Sequence, residues 1–261
     1  MRISVHVDTD QVSPQHGGPV PVGWFLNERK GGIVYFPPER MRSTEVNRTH
    51  AKSAARCPAV INLESRYFII RAPYDLNLAF IRDAEGRPAL RNLDGDMSTI
   101  RANKLREKIH ITAEAEWRHA DVPTIQLQLP YVFIADEPVY LQQVAPFMHH
   151  AKIPRPGTIF GGRFPIHVWP RPLMWAFEWH DTTQPLVIKR GEPLFYVMFE
   201  TAPQDRSVSL AEVAITPELQ EYMELISGAV NYVNQTFSLF EAAEARRPAR
   251  LVVPVDRKPS G

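Results

Sequence analysis

The chain has 261 residues, among them 24 prolines and a single cysteine, with 30 basic residues against 29 acidic ones. One cysteine excludes an internal disulfide framework and a cysteine-built zinc cage, and a net charge of +1 gives no general attraction to nucleic acid or to a membrane surface. Apolar residues make up 44% of the chain, enough for a sizeable core, and the proline excess points to rigid turns.

Taken in chain order, Met1–Asp10 alternates like a strand and lacks the apolar stretch of a secretory signal. No later run reaches the roughly 18 consecutive apolar residues of a membrane helix. The expectation is a soluble, cytoplasmic protein without a membrane or nucleic-acid partner. His6 and Asp8 share one face of that first strand and resemble the start of a facial metal triad, although an exposed edge strand explains them equally well. Gln11 to Arg56 is broken by glycine and proline pairs, with short apolar runs at Val22–Leu26 and Ile33–Phe36. Cys57 has no catalytic partner nearby and reads as a small buried hydrophobe. Arg66–Ala72 and Asp75–Arg82 read as a hairpin turning at Pro73-Tyr74, and Thr99–Lys108 as a short helix.

From Thr124 the strand pattern becomes dense: Thr124–Leu129, Tyr131–Ile134, Pro138–Val144, Arg163–Trp169, Leu173–His180, Leu186–Lys189 and Leu194–Glu200. Short apolar runs separated by glycine and proline define a mainly β fold, expected here as a jelly roll or distorted β-sandwich over residues 1–205. After Pro203 the period changes. Thr216-Pro217-Glu218 supplies an N-cap hydroxyl, a first-turn proline and an acid. Leu219, Met223, Ile226, Val230, Val233, Phe237 and Phe240 then follow at heptad spacing. This predicts a long C-terminal helix within 206–246, packed on the body or paired with its mate in a homodimer. Residues 247–261 read as a loosely ordered basic tail.

The stretch Arg163–Asp181 carries the chemistry that the sequence offers. Read as a hairpin around Pro170-Arg171-Pro172, it places Leu173, Trp175, Phe177 and Trp179 on one face and Met174, Ala176, Glu178 and His180 on the other. Neither face is polar, which implies burial on both sides or a cavity on one. Glu178 and His180 are then neighbours on an apolar face, and a carboxylate buried there demands a partner. One reading is a metal site for Fe(II) or Zn(II), with His149 as third ligand and His150, His110 or His167 as substitutes. A second is metal-free proton transfer with His180 oriented by Glu178 or Asp181. The plainer reading has both residues emerging into solvent, and no glycine-led histidine pair of the cupin type supports the metal. Trp169, Arg171 and Trp175 are the candidate small-molecule contacts, with a tryptophan-rich core as the alternative. No phosphate loop, no nucleophile elbow and no His-Glu-x-x-His helix occurs, which counts against common kinases, hydrolases and metalloproteases.

Leu129–Gln142 (LPYVFIADEPVYLQ) and Gly162–Glu200, with GRFPIHVWPRPLMWAFEW and IKRGEPLFYVMFE, together resemble an uncharacterised group of phage and bacterial proteins of unassigned function. Cys57-Pro58 and Phe68–Leu78 fit the same pattern. The resemblance spans roughly the middle half of the chain and implies no activity. The IKRGEPLFYVMFE run also resembles the glycine-turn strand of many β-barrels, including dUTPase-like ones, whose catalytic motifs are absent here. Two functions follow as expectations. One is binding or modification of a small molecule in the β-body, with metal dependence as an option and enzyme activity left open. The other is a non-catalytic interaction or assembly role, phage-related, that uses the C-terminal helix.

Overall fold

The computed structural model describes residues 18–28, 32–42, 50, 52–202, 206–229 and 236–255; His6 and Asp8 lie outside them. The described chain is mainly β, with 15 strands and four short helices. The strands are β1 (Val20–Leu26), β2 (Glu39–Arg40), β3 (Tyr67–Arg71), β4 (Leu76–Arg82), β5 (Pro88–Asn92), β6 (Ile109–Ile111), β7 (Thr124–Gln128) and β8 (Tyr131–Ala135). They continue with β9 (Val139–Val144), β10 (Gly157–Phe160), β11 (Arg163–Pro165), β12 (Met174–Trp179), β13 (Leu186–Ile188), β14 (Pro193–Thr201) and β15 (Val208–Glu212). The helices are α1 (Pro58–Glu64), α2 (Ala102–Lys108), α3 (Pro217–Ala229) and α4 (Thr236–Glu244). None of the described helices is long and apolar enough to cross a membrane.

Four sheets form, ordered β15-β1-β8, β10-β12-β7-β6, β11-β9-β14-β3-β2 and β13-β4-β5. The expected β3–β4 hairpin does not form. β3 pairs with β14 and β4 with β13, in different sheets. The two strand pairs are one antiparallel ladder bent around a corner. Ala72 N donates to Glu192 O at 2.9 Å and Gly191 N to Ala72 O at 2.8 Å, which carries the pairing through the bend. Gly191 makes the corner possible with φ +86°, a backbone state that side chains with a Cβ rarely adopt. Such switching of a strand between sheets is how orthogonally packed sheets turn their corners.

The expected hairpin across Pro170-Arg171-Pro172 is also absent. β11 pairs with β9, whereas β12 pairs with β10 and β7. The first arm stops at Pro165 because the chain coils there: Trp169 N closes back onto Pro165 O at 2.9 Å. Pro170 and Pro172 then remove further donors, so no ladder can run on.

The core is built by alternation. Trp24, Tyr131, Phe133 and Ala135 face the main core with Trp175, Phe177 and Trp179, while Phe25, Val132 and Ile134 face a second one. The second core is closed by Leu219, Tyr222 and Ile226 of α3, Ala243 of α4, and Leu251 and Val252. This corrects two expectations. Among the described residues there are two short C-terminal helices rather than one long one, and the chain through Val255 lies on the body: Ala214 N donates to Val253 O at 2.9 Å, and Leu251 is 1% exposed. Leu219 and Ile226 point into the second core; Val230, Val233 and the Phe237 side chain lie outside the described residues. Thr216 caps α3 as its sequence implies, accepting from Leu219 N at 3.2 Å. Cys57 is exposed at the N-cap of α1, not a buried hydrophobe.

Candidate functional site

The segment between β11 and β12 builds the candidate site. Two prolines fix the backbone on either side of Arg171, and Trp169 is wedged between Phe164 and Phe240, with ring centroids 5.8 and 5.3 Å away. Arg171 lies over the Trp169 ring at 4.6 Å. A cleft of about 750 Å³ opens between this segment, the end of β1 at Leu26–Glu28, and α3, which presents Met223, Glu224 and Ser227. Its walls are mixed: Trp169, Pro170, Pro172, Ile215 and Met223 supply apolar surface, while Arg171, Glu28, Gln220 and Glu224 supply polar groups. Asn27, Arg171 and Pro172 also line a neighbouring crevice of about 280 Å³, together with Lys108 and Gln128.

The bonding state of Arg171 sets it apart. Among the described residues, six arginines stack on aromatic rings. Arg40 donates to Ser65 O and Val208 O, Arg190 to Pro73 O, Arg82 to Gly86 O and Glu114, Arg163 to Glu200, and Arg118 to Glu178. Arg171 alone has no hydrogen-bond acceptor or carboxylate partner among the described residues. The surrounding protein desolvates its guanidinium and lowers its pKa, although much of the side chain stays open to solvent. A partly desolvated cation without an anion is a binding group in waiting.

Behind the cleft wall sits a polar cluster that sequence reasoning missed. Lys108 Nζ donates to Glu28 Oε1 at 2.6 Å, with the two side chains 16% and 23% exposed. Glu28 Oε2 and the hydroxyls of Tyr35 and Tyr74 are buried and close no hydrogen bond of good geometry among the described residues, although the Tyr35 hydroxyl faces the Glu28 carboxylate. Burial first, then the Glu28 carboxylate, which acts on Tyr35 through hydrogen-bonding proximity and on Tyr74 through its charge alone, hold both phenols far above their ordinary pKa. They are therefore donors, not phenolates, at any ordinary pH. Tyr131 beside them is satisfied, donating to Phe36 O at 2.6 Å. A local signal for this group does not exist: Glu28, Tyr35, Tyr74 and Lys108 come from four separate elements and loops.

The other sequence candidates divide. Trp175 lies in the main core, 0% exposed and stacked on Phe177 at 5.1 Å, so it does not join Trp169 and Arg171 at the cleft. Glu178 is 2% exposed, as its apolar face implied, but its partner is Arg118, which the sequence reading did not name. Arg118 Nε and Nη2 donate to the two carboxylate oxygens at 2.7 and 2.5 Å. His180 is exposed and its Nε2 lies 2.9 Å from Thr158 Oγ1. His149 is exposed too, its Nδ1 hydrogen-bonded to the Tyr196 hydroxyl, a phenol that burial pushes up to about 12. The donor set does not fit a metal: both Glu178 oxygens are taken, and no group of three or more His, Cys, Asp or Glu able to hold an ion occurs among the described residues. His110 bonds Gln126 Oε1 at 3.1 Å, and His167 lies against Val139.

No protein-family model matches the chain, no curated protein matches it, and no solved structure matches it. The functional reading therefore stands on the site alone.

Proposed function

We propose that this protein binds a small molecule with an apolar or aromatic body and an anionic group, in the cleft between Trp169–Pro172 and α3. The observation that carries the reading is Arg171, the one ring-stacked arginine left without an acceptor among the described residues, standing at the edge of a cleft of about 750 Å³. Ligand sites are typically concave, of this size, largely apolar and supplied with a few placed polar groups. Trp169, held by rings on two sides, offers a rigid platform for the body. Glu224, which accepts from Gln220 Nε2 at 3.1 Å, gives the cleft an acceptor on its opposite wall.

Anilinonaphthalene sulfonate, an aromatic body with one anionic group, is a direct probe. Fluorescence titration is expected to show one saturable site in the native protein. Arg171→Met should weaken it about tenfold, the worth of one charge-assisted hydrogen bond, and Met223→Arg, which fills the cleft, should abolish it. Binding that ignores both substitutions would sink the reading. The assembly alternative has less to work with, because Leu219 and Ile226 of the heptad seam are spent inside the protein's own second core.

A further inference from the structure

We propose that the crevice beside Arg171 receives a phosphate monoester head on the cleft's ligand, and that Lys108 turns from Glu28 to that phosphate while Tyr35 and Tyr74 take over the carboxylate. The inference rests on reading the Trp169–Arg171 cleft as a ligand site and names the chemistry of what binds there. Arg171 and Pro172 line both cleft and crevice, so a body lying on Trp169 can place its head in the neighbouring crevice.

The donors in the crevice exceed what a carboxylate uses. One guanidinium fork satisfies both oxygens of a carboxylate. Here Arg171 shares the crevice lining with Lys108, Asn27 and Gln128, residues that carry an ammonium and two amides. A phosphate monoester carries a charge of about −1.5 to −2 and three acceptor oxygens, which suits two cations and two amides.

Lys108 is held by Glu28, and releasing it would strand a mostly buried carboxylate. The two buried hydroxyls remove that obstacle. Tyr74 is 4% exposed; its hydroxyl, the Tyr35 hydroxyl, which faces Glu28, and Glu28 Oε2 are all buried and close no hydrogen bond of good geometry among the described residues. Unpaired buried polar atoms are rare in folded proteins and ask for a reason. Two phenols that remain protonated are reserve donors for the carboxylate at the moment Lys108 leaves it. Glu28 thus has two sets of partners, one for the empty crevice and one for the filled crevice, and phosphate selects between them.

Isothermal titration with phenyl phosphate, benzoate and inorganic phosphate tests this. The native protein is expected to prefer phenyl phosphate over benzoate by about tenfold, and Lys108→Met to erase the preference. The decisive variant is Tyr35→Phe with Tyr74→Phe, which touches neither cleft nor crevice. It should lose about tenfold in phenyl phosphate affinity and keep its benzoate affinity. Its ligand-free Tm should fall little, since Tyr35 only faces Glu28 without a well-formed hydrogen bond and the Tyr74 hydroxyl has no partner among the described residues. Unchanged phenyl phosphate affinity in that variant, benzoate binding as tight as phenyl phosphate, or a clear drop in its ligand-free Tm would each overturn the inference while leaving the cleft reading intact. If Arg171→Met alters the binding of none of the three probes, the cleft reading itself fails. Inorganic phosphate bound as tightly as phenyl phosphate would show that Trp169 takes no part, which also overturns the proposal.

Discussion

Two arginines of this protein sit on aromatic rings beside clefts of similar size, and they are in opposite states. Arg118 lies over Phe160 at 5.2 Å and closes its fork on Glu178 in a cleft of about 640 Å³. Arg171 lies over Trp169 at 4.6 Å in a cleft of about 750 Å³ and closes on no acceptor among the described residues. The first cation neutralises a carboxylate that folding has buried, and its removal should be felt as lost stability. The second neutralises none of the described carboxylates, and its removal should be felt only by a ligand. Chemistry of the side chain is the same in both places; what differs is whether the protein supplies its own anion.

The predictions that press on this comparison run from large to small. The largest concerns the strand that carries Glu178. Gly157 of β10 pairs with Trp179 of β12, next to Glu178, and a Cβ there would come within 1.9 Å of the Glu178 carbonyl oxygen. Gly157→Ala must push the strands apart and is expected to cost about 3 kcal/mol, the upper range for overpacking, by urea denaturation. A cost under about 0.5 kcal/mol, the level of ordinary surface substitutions, would mean that the β10–β12 pairing is looser than drawn.

Arg118→Ala comes next. Glu178 is 2% exposed while Arg118 is 55% exposed, so water can partly replace the guanidinium. The expected loss is about 2 kcal/mol, below the figure for a fully buried pair. Glu178→Gln in the Arg118→Ala background should recover part of it, because the stranded charge is gone; a double-mutant cycle without coupling would remove the contrast with Arg171.

The far wall of the Arg171 cleft is α3, and Tyr222 pins it. The Tyr222 hydroxyl donates to Val168 O at 2.8 Å, with Ala243 O 3.0 Å from the same oxygen. Burial pushes the phenol up to about 12, so it donates throughout the neutral range. Tyr222→Phe should cost about 1 kcal/mol and loosen α3 and α4 together, visible as faster amide exchange in both. A smaller, pH-dependent effect belongs to His167, which lies beside Val139 N at 3.2 Å. Burial lowers its pKa below the unfolded value of 6.5, with Arg247 adding to the shift. The neutral form is favoured in the fold, so its contribution is fully present above pH 6.5 and is lost as pH falls through that value toward the folded pKa. In His167→Gln the slope of stability against pH over that window should flatten.

What the sequence discloses and hides follows the same divide between local and distant partners. Tyr131–Ala135 is a continuous apolar run and became a strand buried on both faces; the polar run Thr99–Lys108 holds α2; Thr216-Pro217 starts α3. Each of these is set by neighbours in the chain. The sheet changes at Ala72 and Gly191, the parallel pairing of β1 with β15, and the Arg118–Glu178 fork join residues 60 to nearly 190 positions apart, and no local period records them. The two hairpins were misread for this reason. Adjacent strands with a proline between them look like hairpin arms, but a bend can send each arm to a different sheet. The prolines mark strand ends, as at Pro130 between β7 and β8, Pro165 closing β11 and Pro193 opening β14, without telling which strand comes next to which. At the candidate site, Trp169 and Arg171 were legible because the Pro-Arg-Pro segment is unusual, whereas Glu28, Tyr35, Tyr74 and Lys108 are ordinary residues assembled only by the fold.

The smallest expected effect is the sharpest test of the contrast. Arg171→Ala deletes a charge, a ring contact and no hydrogen bond among the described residues, so stability should change by no more than about 0.5 kcal/mol. Loss of the stacking on Trp169 alone, at an exposed position, is worth about 0.5–1 kcal/mol at most, and relief of the desolvated charge offsets part of it. The same substitution should be the most damaging of the set for ligand binding. If Arg171→Ala instead unfolds the protein as readily as Arg118→Ala does, Arg171 holds an anion within the chain, and the argument that it waits for one from outside collapses. If stability holds and anion binding is lost, the two arginines are separated by function as they are by bonding.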